Sequence, residues 1–113
     1  MLIRSQNKEV LTNLNAFAGI EIAEGPAKTV ITSYITGCSY LLGEYSNKQK
    51  AVKVLDMLQK AQAEYEMLRG MSTGMGGIMV TYNTKMIVNE LEKEIQEKSI
   101  FQMPEDSEVE VND

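Results

Sequence analysis

The sequence predicts an α+β fold in which an antiparallel sheet of four or five short strands precedes two helices. Three observations predict it: β-rich runs crowd residues 1–45, an apolar stripe at helical spacing covers about 47–68, and a second covers about 83–98. A chain of 113 residues is the usual size of one domain. We therefore expect a single domain over residues 1–103, followed by a mobile acidic tail over residues 104–113.

The strands are predicted from β-branched content, from apolar–polar alternation and from the breaks between runs. They are expected near residues 10–14, 19–23, 29–35 and 38–45, and residues 100–103 are a candidate for a last short strand. Gly25 and Pro26 form a clear break, because proline cannot donate to a strand ladder. The connections are too short for crossovers, which predicts mostly antiparallel pairing.

The first helix is predicted to begin after Ser46, which can cap it, with Gln49 three residues later completing a capping box. Its apolar residues recur at mostly three- and four-residue spacing: Ala51, Val54, Leu55, Leu58, Ala61 and Tyr65. The second helix carries a shorter apolar stripe and an i,i+4 pair between Glu94 and Lys98. That stripe consists of Ile87 or Val88, Leu91 and Ile95.

The composition excludes several classes of protein. The chain has no histidine and one cysteine, Cys38, so neither an intrachain disulfide nor a cysteine–histidine zinc site is expected. No stretch of eighteen apolar residues occurs, so no membrane span is predicted, and a cytoplasmic setting is expected. Five of the sixteen acids lie in residues 105–113 and the rest balance eleven Lys and Arg, which argues against direct nucleic-acid binding.

Residues 69–79 carry two conflicting signals. Each of four glycines costs a helix about 1 kcal/mol relative to alanine; these are Gly70, Gly74, Gly76 and Gly77. Methionines nevertheless repeat at the helical spacing of four residues, at Met67, Met71, Met75 and Met79. We interpret the segment as a flexible loop that orders against a partner.

Catalysis is not predicted, and the chain is not expected to be an enzyme or to hold a metal or cofactor. Without histidine, acid–base chemistry needs a strongly shifted carboxyl, Lys, Tyr or Cys side chain. The candidate carboxylates, Glu90, Glu92, Glu94 and Glu97, are expected on a solvated helix face. Cys38 lies in an apolar strand context beside Tyr40 and is expected in the core.

The glycine-rich segment is instead a candidate binding site. It matches neither of the common phosphate-loop patterns, and a plain linker remains the simpler interpretation. Three nearby polar side chains, Arg69, Tyr82 and Lys85, are nevertheless placed to meet an anionic ligand such as a nucleotide. Methionine is common at adaptable protein-binding surfaces, so Met71, Met75 and Met79 are candidates for a protein partner or for self-association; core filling is the equal alternative.

Three segments resemble a family of small uncharacterised proteins found in Firmicutes and their phages and prophages. They are Ile3–Lys8, Leu42–Met57 (LGEYSNKQKAVKVLDM) and Phe101–Val109 (FQMPEDSEV). The resemblance implies a small strand-rich domain with one central helix and a phage-related origin, but no activity. The chain departs from the family pattern between about Glu66 and Ser99.

These observations predict a phage- or prophage-related accessory protein that acts by stoichiometric binding, expected as a homo-oligomer. If a phage encodes the chain, the expected setting is the host cytoplasm. Its target is predicted to be a host defence protein, which it inhibits, or a small signalling nucleotide, which it sequesters. One alternative is a structural or regulatory module that self-associates without a small ligand. A small enzyme that depends on carboxylates is the third.

Overall fold

The structure, a computed structural model, describes the backbone of residues 1–75 and 82–111 and the side chains of residues 1–71 and 89–111. It is an α+β fold, as the sequence predicts. There are also two single turns of 3-10 helix: Leu14–Ala16 lies between two strands, and Asp106–Glu108 follows the last strand. In chain order the strands and helices are β1 (Leu2–Arg4), β2 (Leu11–Asn13), β3 (Gly19–Glu24), β4 (Thr29–Ile35), β5 (Cys38–Tyr45), α1 (Lys48–Met75), α2 (Tyr82–Lys98) and β6 (Ile100–Gln102).

The described strands form two three-stranded sheets, where the sequence predicted one. The first sheet has the order β2-β1-β6, and its central residue Ile3 is fully buried opposite Thr12 and Phe101. β6 follows both helices and pairs with β1 in the parallel direction. A parallel pair needs such a long connection, because a short one cannot cross over between parallel strands. The candidate strand at the end of the chain is therefore confirmed, in a parallel rather than an antiparallel pair.

The second sheet is the antiparallel meander that the sequence predicts, with the order β3-β4-β5. Its inner face carries Ile22, Ile31 and Tyr45, which pack against α1. The register shifts between Ile31 and Thr32, and this bulge turns Leu42 toward the core as well. Alternation along the strands thus buries one face of the sheet, and α1 covers it.

Helix α1 begins at Lys48 with a different cap from the predicted one. The Oδ1 atom of Asn47 accepts a hydrogen bond from the Lys50 amide at 2.8 Å. Ser46 precedes this capping residue, and its backbone amide donates to the Asp106 carboxylate at 2.8 Å. The predicted stripe is confirmed, since its residues Ala51, Val54 and Leu58 are buried and Leu55, Ala61 and Tyr65 pack against the core.

Helix α2 packs on the second half of α1. Leu68 of α1 and Leu91 of α2 are both buried but lie outside the main core, which places them between the helices. The Lys98 ammonium lies 3.5 Å from the Glu64 carboxylate of α1 and 3.6 Å from that of Glu94. The predicted Glu94–Lys98 pair is confirmed, and the same lysine also ties the two helices together.

The segment after Pro104 differs from the mobile tail that the sequence predicts. Val109 is only 3% exposed and belongs to the core. The Asp106 carboxylate lies 3.4 Å from the Lys50 ammonium, and the Lys53 ammonium donates to the Glu110 carbonyl. The reason is that Val109 joins the core while the segment bonds to Lys50 and Lys53 of α1 and to the Ser46 amide just before the helix. No helix of the described residues has the length and apolarity needed to span a bilayer.

Candidate binding surface on the helix pair

The methionines divide into buried and exposed groups. Met1 and Met103 are buried in the core at 6% and 1% exposure. On α1, in contrast, Met57 is 39%, Met67 61% and Met71 50% exposed. Since the latter two lie ten and fourteen residues after Met57, a helix of about 3.6 residues per turn brings all three into one quarter of its circumference. We call Met57, Met67 and Met71 the methionine face.

The position of the core stripe explains why this face is exposed. Ala51, Val54 and Leu58 turn toward the sheet, and Leu68 turns toward α2. The methionine face occupies the next sector of the same helix, beyond both contacts. Core filling therefore accounts for Met1 and Met103 but not for these three side chains, which present flexible apolar surface to solvent.

Arg69 lies on another side of α1, because residues two apart on a helix do not share a face, and its side chain is already engaged there. Its guanidinium lies 3.7 Å from the Glu66 carboxylate and 5.7 Å from the centre of the Tyr65 ring. The first contact is an ion pair between exposed side chains, and the second is a cation–π contact. An anionic ligand at Arg69 would have to compete with Glu66 for the same charge.

Gly70 and Gly74 lie inside α1, so the loop predicted from residue 69 onward is wrong as far as Met75. Amides in the interior of a helix bond to the carbonyl four residues earlier, which leaves none of them to cradle a phosphate. A Cβ atom at Gly70 would meet nothing within 4 Å. As far as Met75, the helical spacing of the methionines thus indicated the structure better than the glycines did.

The structure separates the candidate residues that the sequence nominates. Arg69, Gly70 and Met71 are described in full on α1. For others only the helical backbone is described: Gly74 and Met75 at the end of α1, and Tyr82 and Lys85 at the start of α2. Gly76, Gly77 and Met79 lie outside the described residues.

A groove that the sequence does not predict lies beside the methionine face. It holds about 210 Å³ and lies where α1, the end of α2 and β6 meet. Its lining combines apolar and charged side chains: Ala61, Glu64, Glu97, Lys98, Ile100 and Phe101. No pattern in the sequence could indicate it, because Ala61 and Glu64 of α1 lie more than thirty positions before the other lining residues.

Other candidate groups lie away from this surface. Cys38 is exposed, which contradicts the expected core position. It opens β5 directly after the turn at Gly37, whose φ is +83°, and so lies at the end of the sheet. The exposure of Glu90, Glu92, Glu94 and Glu97 confirms the solvated helix face. Among the described residues, no three His, Cys, Asp or Glu side chains are arranged to hold a metal ion.

The three segments that resemble the phage and prophage family meet in the structure. Residues 2–4 pair with residues 100–102, and the Gln6 carboxamide bonds to the backbone of Glu44 and Pro104. The Tyr45 hydroxyl donates to the Pro104 carbonyl at 2.9 Å, and burial is the main cause that raises its pKa. These three segments therefore stabilise one another.

The chain matches no protein-family model, no curated protein and no solved structure.

Proposed function

We propose that this chain is a phage- or prophage-related accessory protein that acts by stoichiometric binding, and that a host protein docks on the methionine face. The observation that carries the proposal is the exposure of Met57, Met67 and Met71 on one side of α1. Flexible thioether side chains adapt to the shape of a partner, and a helix that presents them fits a recurrent mode of protein recognition.

A protein partner is favoured over a signalling nucleotide. A nucleotide site needs available backbone amides or an uncompensated cation for the phosphates. In the described part of the nominated segment, the amides of Gly70 and Gly74 belong to a helix, and Arg69 contacts Glu66. The exposed methionines offer apolar contact area instead, which suits a protein surface. We propose a host defence protein as the target class, because the family resemblance implies a phage-related origin.

The position of the face also supports the proposal. The main core involves the first part of α1, whereas Met67 and Met71 lie in its second half, beside α2. A partner can therefore cover them without disturbing the sheets. For the same reason, changing these side chains should leave the stability of the domain nearly unchanged.

The test begins with the chain purified from its own host and weighed by native mass spectrometry, which reports a bound partner and the number of protomers together. The partner is then identified and reconstituted with the purified chain. The variant Met67→Gln/Met71→Gln removes apolar surface at nearly constant size and helix propensity. Val52→Thr is the matched control, because Val52 is 42% exposed on another side of α1.

We expect a complex of fixed stoichiometry that the methionine variant weakens at least tenfold and that Val52→Thr leaves intact. Both variants should unfold within about 0.5 kcal/mol of the wild type, as exposed substitutions usually do. A homo-oligomer as the only complex would replace the proposal with the self-associating module. Equal partner affinity in the two variants would move the binding surface elsewhere.

A further inference from the structure

The groove at the end of α2 is continuous with the methionine face. Ala61 follows Met57 by four residues and Glu64 precedes Met67 by three, so each pair shares one surface of α1. Ala61 and Glu64 form one wall of the groove, and Ile100 and Phe101 of β6 add apolar surface to it. A partner that covers the methionines therefore reaches the groove without a gap.

More negative than positive side chains line the groove. The Lys98 ammonium is shared between two carboxylates, at 3.5 Å from Glu64 and 3.6 Å from Glu94. Glu97 lines the same groove, and within the described part of the chain it forms no ion pair. The groove itself is thus lined by two carboxylates, those of Glu64 and Glu97, and by one ammonium group, that of Lys98.

The end of α2 adds to this negative potential. The helix finishes at Lys98, and the carbonyl groups of a last helical turn carry partial negative charge. The Ser99 hydroxyl and amide both donate to the Gln96 carbonyl, which satisfies one of these groups and leaves the direction of the dipole unchanged. An apolar groove at this position favours a long side chain with a cationic head, whose methylene stem packs on the walls.

We infer that the partner presents a basic amphipathic helix, which lays apolar side chains on the methionine face and inserts one Lys or Arg into the groove. This inference rests on the function proposed above and names the chemistry of the partner. A second copy of the chain is a poorer occupant, because a symmetric contact would bring the carboxylates of two grooves together. The charge therefore selects a basic partner over self-association.

The test uses a fluorescent 18-residue peptide of leucine and lysine patterned as an amphipathic helix, with binding followed by anisotropy. One control peptide has the same composition in scrambled order, and another has glutamate in place of lysine. Among protein variants, Glu97→Gln changes the groove. Glu92→Gln is its matched control, since Glu92 is an exposed residue of the same helix that does not line the groove.

We expect only the patterned basic peptide to bind. Glu97→Gln should weaken it about fivefold, as the loss of one favourable charge pair would, whereas Glu92→Gln should change the affinity less than about twofold because of screening. Met67→Gln/Met71→Gln should weaken it as well. Equal binding of the scrambled or acidic peptide, or equal effects of the two glutamate variants, would overturn the inference.

The two proposals fail in different ways. If the host complex depends on the methionines but the basic peptide neither binds nor competes with the partner, the proposed function stands and the inference about the partner is wrong. If the peptide binds with the expected dependence but no host complex forms, the proposed function is wrong, while the preference of this surface for basic helices stands.

Discussion

Gln6 supplies the most demanding test of how this fold is held together. Its backbone amide donates to the Leu42 carbonyl at 2.8 Å. Its side-chain Oε1 accepts from the Glu44 amide at 2.9 Å, and its Nε2 donates to the carbonyls of Glu44 and Pro104 at 3.0 and 3.1 Å. The carboxamide thus pairs with the edge of β5 as the peptide group of a neighbouring strand would, and it joins that edge to the C-terminal segment.

Replacing Gln6 with alanine removes three side-chain hydrogen bonds and keeps the backbone bond. Each such bond contributes about 0.5–1.5 kcal/mol net, and more where a buried partner loses its only bond. The Pro104 carbonyl still accepts from the Tyr45 hydroxyl, and the Glu44 backbone is only partly buried, so water can replace part of the loss. We therefore expect Gln6→Ala to lower the free energy of unfolding by about 2 kcal/mol.

The assay is urea unfolding followed by circular dichroism, with the slope m compared between variants. At about 4 °C or more per kcal/mol for a domain near this size, the melting temperature should fall by about 8 °C. Gln59→Ala is the control, because Gln59 is exposed on α1 and alanine favours a helix. A loss below about 0.5 kcal/mol for Gln6→Ala, or the same loss for both variants, would refute the reasoning.

The variant Gln6→Glu separates hydrogen bonding from packing. A carboxylate can still accept from the Glu44 amide, but it faces the carbonyls of Glu44 and Pro104 without a proton to donate. This repulsion should raise the pKa of the introduced carboxyl in the folded protein. Stability relative to Gln6→Ala should therefore be lowest at neutral pH and should recover as the pH falls through the raised pKa toward the ordinary glutamate value of about 4.3.

Three further predictions concern the C-terminal segment and the frame around it. Val109→Ala should cost about 2 kcal/mol in urea unfolding, because the side chain is 3% exposed in the core, whereas a mobile tail would give no change. Asp106→Asn should lower the free energy of unfolding at neutral pH, because the hydrogen bond from the Ser46 amide is the main cause that lowers the pKa of the Asp106 carboxyl from 3.8. The difference in free energy of unfolding between variant and wild type should become smaller as the pH falls below 3.8 toward the lowered pKa of the folded protein. Gly43→Ala should destabilise by about 1–3 kcal/mol in thermal unfolding, because the added Cβ would lie 3.0 Å from the buried Tyr45 ring. Gly19→Ala should lose less stability, because its closer contact is with the exposed Tyr34 ring, which can move.

The elements that the sequence predicted well are those in which one local pattern decides the structure. Alternation, β-branched content and the breaks between runs placed β3, β4 and β5 within a residue or two of their ends. Three- and four-residue spacing identified the buried side of α1. Such patterns act through the chain itself, because a strand repeats every two residues and a helix every 3.6. The cap was predicted one residue early, since both Ser46 and Asn47 are residue types that cap a helix and only the structure shows that Asn47 takes this role.

The candidate site could be predicted only in part. Methionine spacing correctly indicates a helix as far as Met75, whereas the glycines favour the predicted loop. The exposure of Met67 and Met71 depends on where α2 packs, and the groove depends on Ile100 and Phe101 returning beside α1. No window of sequence contains those neighbours together.

By itself, the sequence determined the α+β class, the position of most elements, and the absence of histidine that limits the available chemistry. The tertiary structure alone decided the division into two sheets, the parallel return of β6, and the docking of residues 104–111 on the start of α1. The physical reason is that local patterns reflect the bonds a segment makes with itself. Which apolar faces and which opposite charges meet depends instead on how the whole chain packs together. That packing leaves the methionine face and the groove exposed.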